Sequence, residues 1–89
     1  MAYQVVYEKR AVKSLKKIDK GQQRMIVAWI EKNLKGTMHP RQHGQPLKGE
    51  LKDYWRYRVG RYRILADIDG DEIKIIVVDI VHRKDIYKL

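Results

Sequence analysis

The chain has 89 residues, no cysteine, and twenty lysines and arginines against eleven acidic residues, for a formal charge of +9. That length holds a single core, so one domain over 1–89 is expected, and the missing thiols exclude disulfide staples and thiolate metal sites. No apolar run approaches the ~20 residues of a membrane span, and an excess of positive charge that repels itself points to a polyanionic partner.

The opening Met1-Ala2-Tyr3-Gln4-Val5-Val6-Tyr7 is too short and too polar for a signal peptide, so a cytoplasmic location without membrane contact is expected. Residues 3–7 are β-rich and predict a first strand. Residues 8–20 predict a helix with Ala11, Leu15 and Ile18 on one stripe, broken by Gly21. A second helix follows over 22–35, with the stripe Met25, Ile26, Trp29, Ile30 and Leu34 and with Gly36 at its stop. The short connection makes the pair an antiparallel hairpin. Residues 37–53 carry both prolines and read as loop.

Three strands are expected next, over 54–59, 61–68 and 72–81, with turns at Gly60 and Asp69-Gly70. The last is apolar on both faces and belongs inside the sheet. Residues 82–89 read as a tail. The expected fold is therefore α+β, in the order β-α-α-β-β-β: a helical hairpin on one face of a small, mainly antiparallel sheet, with the other face partly open.

The first of these three strands carries the strongest signal. Tyr54-Trp55-Arg56-Tyr57-Arg58-Val59-Gly60-Arg61-Tyr62-Arg63 alternates aromatic residues with arginine. Successive strand side chains point to opposite faces. Trp55, Tyr57 and Val59 can enter the core while Arg56 and Arg58, joined by Arg63, stand on the open face. Guanidinium forks match phosphate oxygens bidentately and stay charged near neutral pH. Arg61, Lys48 and Lys52 extend the basic stretch, although basic residues on a sheet also serve to block edge-to-edge aggregation. A second cluster, His82-Arg83-Lys84-Asp85-Ile86-Tyr87, lies just beyond the last strand. There His82 and Tyr87 suit either packing or a site, and the basic first helix suits a solvated face or an acidic partner.

No metal site is expected. His39 and His43 are separated by Pro40 and joined by no carboxylate or thiol. Asp67-Ile68-Asp69-Gly70-Asp71 has its glycine two positions early for a calcium loop and Val78 where that loop needs glutamate.

Three segments in order, Pro46-Leu47-Lys48-Gly49-Glu50-Leu51, the arginine strand through Ile64, and Val81 to Tyr87, resemble the RelE family of type II toxins within the RelE/ParE superfamily. The resemblance covers nearly the whole chain. It implies a microbial-RNase-like fold and a metal-free, cofactor-free endoribonuclease that enters the ribosomal A site and cuts mRNA. The RNA 2′-hydroxyl attacks its own 3′-phosphate, leaving a 2′,3′-cyclic phosphate and a 5′-hydroxyl. It implies roles for Arg58 and Arg63 in clamping phosphate and stabilising transition-state charge, and for Arg83 at the leaving oxygen. Tyr87 would stack on a base or orient the 2′-hydroxyl. Arg56, with Arg61, Lys48 and Lys52, would hold RNA. It also implies a cognate antitoxin, acidic and partly disordered, that docks a helix and masks the basic face.

One departure stands out. Arg56 and Arg58 occupy positions where well-studied members carry lysines, and arginine is too basic to cycle a proton easily. His82 is the adjacent group that titrates near neutral pH and is the expected base or acid; otherwise electrostatics and positioning by the ribosome supply the rate. Two other functions stay open: a ParE-like gyrase inhibitor on the same fold, against which Arg63, Arg83 and Tyr87 argue, and a non-enzymatic nucleic-acid-binding module.

Overall fold

The computed structural model describes the backbone of residues 2–88 and the side chains of residues 2–85. Its elements are β1 (Gln4–Tyr7), α1 (Lys9–Lys16), α2 (Lys20–Asn33), β2 (Gln45–Pro46), a 3₁₀ turn at Gly49–Leu51, β3 (Trp55–Val59), β4 (Tyr62–Asp69), β5 (Lys74–His82) and a closing 3₁₀ helix, Arg83–Lys88. The sheet order is β1-β5-β4-β3-β2, with β1 parallel to β5 and the remaining neighbours antiparallel. The expected α+β architecture is the observed one, with one strand more than expected. β2 is only two residues long and ends in Pro46, which lacks an N–H and is tolerated at an edge, so no strand pattern marks it.

Two helix boundaries differ from expectation for one reason. The Asp19 carboxylate accepts the Gln22 N–H at 3.1 Å and caps α2, which therefore begins at Lys20 and holds Gly21 in its first turn. The break lies before Asp19, and Ile18 sits between the helices. Gly36 does follow α2 in the left-handed region, at φ +78°.

The core is the layer between the helices and one sheet face. Ala11, Ile26, Ile30 and Leu34 meet Tyr57, Val59, Ile64, Ala66, Ile75, Val77 and Ile80, all buried. Register explains the selection, since Tyr57 pairs with Ile64 and Ile64 with Ile80 across three strands. Met25, expected in the stripe of α2, stays 37% exposed at its margin.

β1 accompanies β5 only as far as Val77. Beyond it, α1 packs beside β5: Ser14 Oγ donates to Asp79 at 2.6 Å, and Arg10 pairs with the same buried carboxylate at 2.9 Å. One of the four basic residues of α1, Arg10, is thus structural.

Both expected hairpins form. Gly60, at φ +57°, opens the two-residue turn between β3 and β4. The β4–β5 turn is longer than Asp69-Gly70 suggests. Asp69 accepts the N–H groups of Asp71 and Glu72, both at 3.0 Å, and the left-handed residue is Ile73, at φ +56°.

Candidate functional site

Arginine alternation and strand pairing together build one cleft. On β3, Tyr57 and Val59 are buried, which turns Arg56 and Arg58 to the open face. Arg58 pairs directly with Arg63 of β4, so their side chains share that face. Arg83 joins them from the start of the closing 3₁₀ helix, held by its own N–H, which donates to the Arg61 carbonyl at 2.7 Å.

These four arginines line a cleft of about 690 Å³ together with Trp29, His43, Gly44 and Gln45. No carboxylate is among its described lining residues. Arg63 bears the consequence. Its burial, and then the neighbouring guanidiniums of Arg58, Arg56 and Arg83, pull it below the usual arginine range. It stays a cation at neutral pH and donates to the carbonyls of Gly60 and Tyr62 at 3.3 and 3.1 Å. Like charges gathered this way are relieved by an anion.

The far wall comes from the 37–46 segment and α2. Beyond Arg56, β3 has no β2 partner, and Trp29 of α2 reaches the cleft there. Its ring meets those of Tyr57 and His43, with centroids 5.7 Å apart in each pair. Two further contacts tie the segment to β3: Trp55 Nε1 donates to the His43 carbonyl at 2.7 Å, and the buried Tyr57 hydroxyl donates to the Pro40 carbonyl. Gly44, at φ +82°, lies so close that an added Cβ would collide with the Arg56 carbonyl oxygen and the Trp55 ring.

Gly44→Ala should therefore cost roughly 1–3 kcal/mol through strain and a displaced loop. A urea midpoint equal to that of the wild type would contradict this packing. Tyr57 supplies a second check. Burial raises its hydroxyl far above the usual range, opposed by Arg41. An unfolded tyrosine ionises near pH ~10, whereas the folded protein keeps the proton. Stability is then full below that pH and falls as pH rises above it. Tyr57→Phe should flatten this alkaline loss in denaturation curves measured across that range.

The structure separates the expected site residues into two groups. Arg56, Arg58, Arg63 and Arg83 converge in the cleft. Arg61 and His82 line a different hollow, with Asp19, Gln22, Gly60 and Tyr62. His82 belongs to β5 rather than to a tail. It pairs with Tyr62 on the helix-facing side, its ring edge-on to Tyr62 at 5.4 Å, and Nδ1 accepts the Lys84 N–H at 3.3 Å. Lys48 and Lys52 flank the Gly49–Leu51 turn, exposed and outside the cleft lining. The Tyr87 side chain lies outside the described residues.

Sequence reasoning passed over Trp29, taken as core, and His43, weighed only as a metal ligand. The one signal for His43 was a histidine in a Pro/Gly-bearing loop shortly before the arginine strand. Among the described residues no group of three or more His, Asp or Glu side chains could hold a metal, and no helix is long and apolar enough to cross a membrane.

Residues 5–87 match the model of the family described as the ParE toxin of the type II toxin–antitoxin system parDE. The chain is 35% identical over 52 residues to Toxin RelG of Mycobacterium tuberculosis, a match spanning 58% of this chain and 60% of that protein. Among solved structures it resembles the toxin–antitoxin complex RelBE2 of the same organism, with TM-score 0.84 and 26% identity over 93% of this chain and 100% of the other. It also resembles the chromosomal ParDE system of P. aeruginosa, with TM-score 0.72 and 12% identity over 91% and 96% of the two chains, a likeness of fold alone.

Proposed function

Because this chain belongs to the ParE toxin family of type II toxin–antitoxin systems, within the RelE/ParE superfamily, we propose that its arginine cleft is the active site of a ribosome-dependent mRNA endonuclease. The observation that carries this reading is the convergence of Arg56, Arg58, Arg63 and Arg83, from three separate elements, in a cleft with no described carboxylate. A phosphodiester passing through a phosphorane gains negative charge, and preorganised guanidiniums stabilise that gain more than they stabilise the ground state.

In this mechanism Arg58 and Arg63 clamp the scissile phosphate, Arg56 holds the adjoining backbone, and Arg83 donates to the departing 5′-oxygen. Tyr87 stacks on a base or orients the 2′-hydroxyl. The 2′-oxygen attacks phosphorus and the P–O5′ bond breaks, giving a 2′,3′-cyclic phosphate and a 5′-hydroxyl without a metal. The protein acts in the cytoplasm at the ribosomal A site. Its second partner is a cognate antitoxin, acidic and partly disordered, whose helix masks the basic face. The +9 charge and the antitoxin-bound state of the RelBE2 toxin support that partner.

Primer extension on mRNA bound to programmed ribosomes, in EDTA, tests the reading. Discrete A-site cuts that disappear in Arg83→Ala are expected. Intact mRNA from folded protein would refute it. The family model's ParE description favours a second reading, inhibition of DNA gyrase. Supercoiling blocked at stoichiometric protein would establish it in place of the nuclease. Tight, salt-sensitive RNA binding with no cleavage and no gyrase effect would leave a binding module.

A further inference from the structure

We infer that His43 is the general base of the proposed cleavage, taking the proton from the attacking 2′-hydroxyl. This assignment rests on the endonuclease reading above. The reaction needs a proton acceptor, and arginine holds its proton too tightly to serve. His82, the other candidate, faces the helices and lines a different hollow. His43 is the one titratable side chain besides the arginines among the described residues lining the cleft.

The loop presents this imidazole rather than leaving it to wander. Trp55 Nε1 holds the His43 carbonyl at 2.7 Å, the Trp29 ring meets the imidazole edge-on at 5.7 Å, and the Tyr57 hydroxyl holds the Pro40 carbonyl three residues earlier. Gly44, directly after it, adopts a left-handed conformation that brings the chain against β3. Gln42 places its side-chain amide 3.5 Å from His43 Nε2. The contacting atom is the amide nitrogen, a donor, so the neutral imidazole accepts at Nε2 and carries its own proton on Nδ1; Nε2 is then the nitrogen that takes the 2′-hydroxyl proton once that contact gives way.

The charged groups sharing the cleft are Arg56 and Arg58 from β3, Arg63 from β4 and Arg83 from the closing helix, and α2 contributes the uncharged Trp29. No carboxylate is among the described lining residues to compete with the 2′-hydroxyl for the imidazole. The proton passes from O2′ to the imidazole as the O2′–P bond forms and the P–O5′ bond breaks. The departing oxygen takes a proton from water, and the imidazolium returns its proton to the resulting hydroxide, so no proton is consumed overall.

The test is single-turnover cleavage of mRNA on programmed ribosomes across about pH 5.5–8.5, with His39→Gln, exposed and outside the cleft, as control. The wild-type rate should fall toward acid pH. His43→Gln should lose roughly 10²–10⁴-fold in rate, together with that acid limb, while its affinity for the ribosome and its melting temperature stay near wild type. Added imidazole should restore cleavage to His43→Gly, which a purely structural role would not permit.

Wild-type cleavage with His43→Gln equally fast, or an acid limb lost only in His82→Gln, would overturn the assignment and leave the nuclease standing. Should His43→Gln melt early, the wild-type profile decides, and a rate independent of acid pH overturns the base. A wild type that cuts no mRNA brings down the nuclease and the base together.

Discussion

Arg63→Ala should abolish growth arrest and slow mRNA cleavage by at least roughly 10²-fold, while the protein melts within a few degrees of the wild type. Both halves follow from one position. Arg63 stands opposite Arg58 and shares the cleft with Arg56 and Arg83. All four guanidiniums line that cleft, so removing Arg63 takes away one of the donors offered to a phosphate seated there.

Stability responds differently. The variant loses two hydrogen bonds, to the carbonyls of Gly60 and Tyr62, worth roughly 0.5–1.5 kcal/mol each. It gains relief from the burial and like-charge repulsion that hold the Arg63 pKa down. The two effects oppose, and the net change in melting temperature is small. Added salt, which screens exposed charges, should raise the melting temperature of the wild type more than that of the variant. Antitoxin affinity should remain largely intact, since the remaining basic face persists. Arg63→Ala and Arg83→Ala proteins that are both fully toxic would refute the site.

Val77→Asp should leave no folded protein at all. Val77 is fully buried in β5, hydrogen-bonded into a sheet with β1 on one side and β4 on the other, and packed in the core under the helices. A carboxylate there has no partner and no water, and losses from such a change reach about 4–5 kcal/mol or more. The whole stability of a small domain is roughly 5–15 kcal/mol. Val77→Thr, of the same shape but with a hydroxyl, should cost far less and remain folded. The comparison is read by thermal melting followed by circular dichroism. A native-like melt for Val77→Asp would contradict the sheet order β1-β5-β4-β3-β2.

Asp79, two residues on, shows how a buried charge is tolerated in the same strand. Ser14 and Arg10 of α1 both reach it, and it accepts the N–H of Ile80. The difference between the two positions is the presence of partners, not the depth of burial.

Much of the arrangement was legible in the residues. Period-two alternation in Trp55 to Val59 separates core from cleft on one strand, because a strand has only two faces. The apolar residues Ile75 to Val78, with Ile80, place their strand inside the sheet, between two neighbouring strands. Gly60 marks a tight turn because few other residues adopt its positive φ cheaply. Where local chemistry competed, the reading slipped. Asp19 outweighed Gly21 as the helix boundary by offering its carboxylate to a free N–H, and Ile73 rather than Gly70 took the left-handed position once Asp69 had capped the turn.

The sequence by itself determined the composition of the site: an excess of cations, arginines alternating with aromatics, and a further arginine just past an apolar strand. These rest on side-chain period and charge, which are local. Which histidine meets those arginines was decided only by tertiary structure. His82 lies next to Arg83 in the chain, yet strand pairing with Tyr62 turns it to the opposite face. His43 is forty positions away from Arg83 in the chain, and the hydrogen bonds from Trp55 and Tyr57, with the close approach at Gly44, bring it to the cleft. Neighbours along a strand are separated by the sheet they belong to, and a loop joins a site only through the contacts that fold it back.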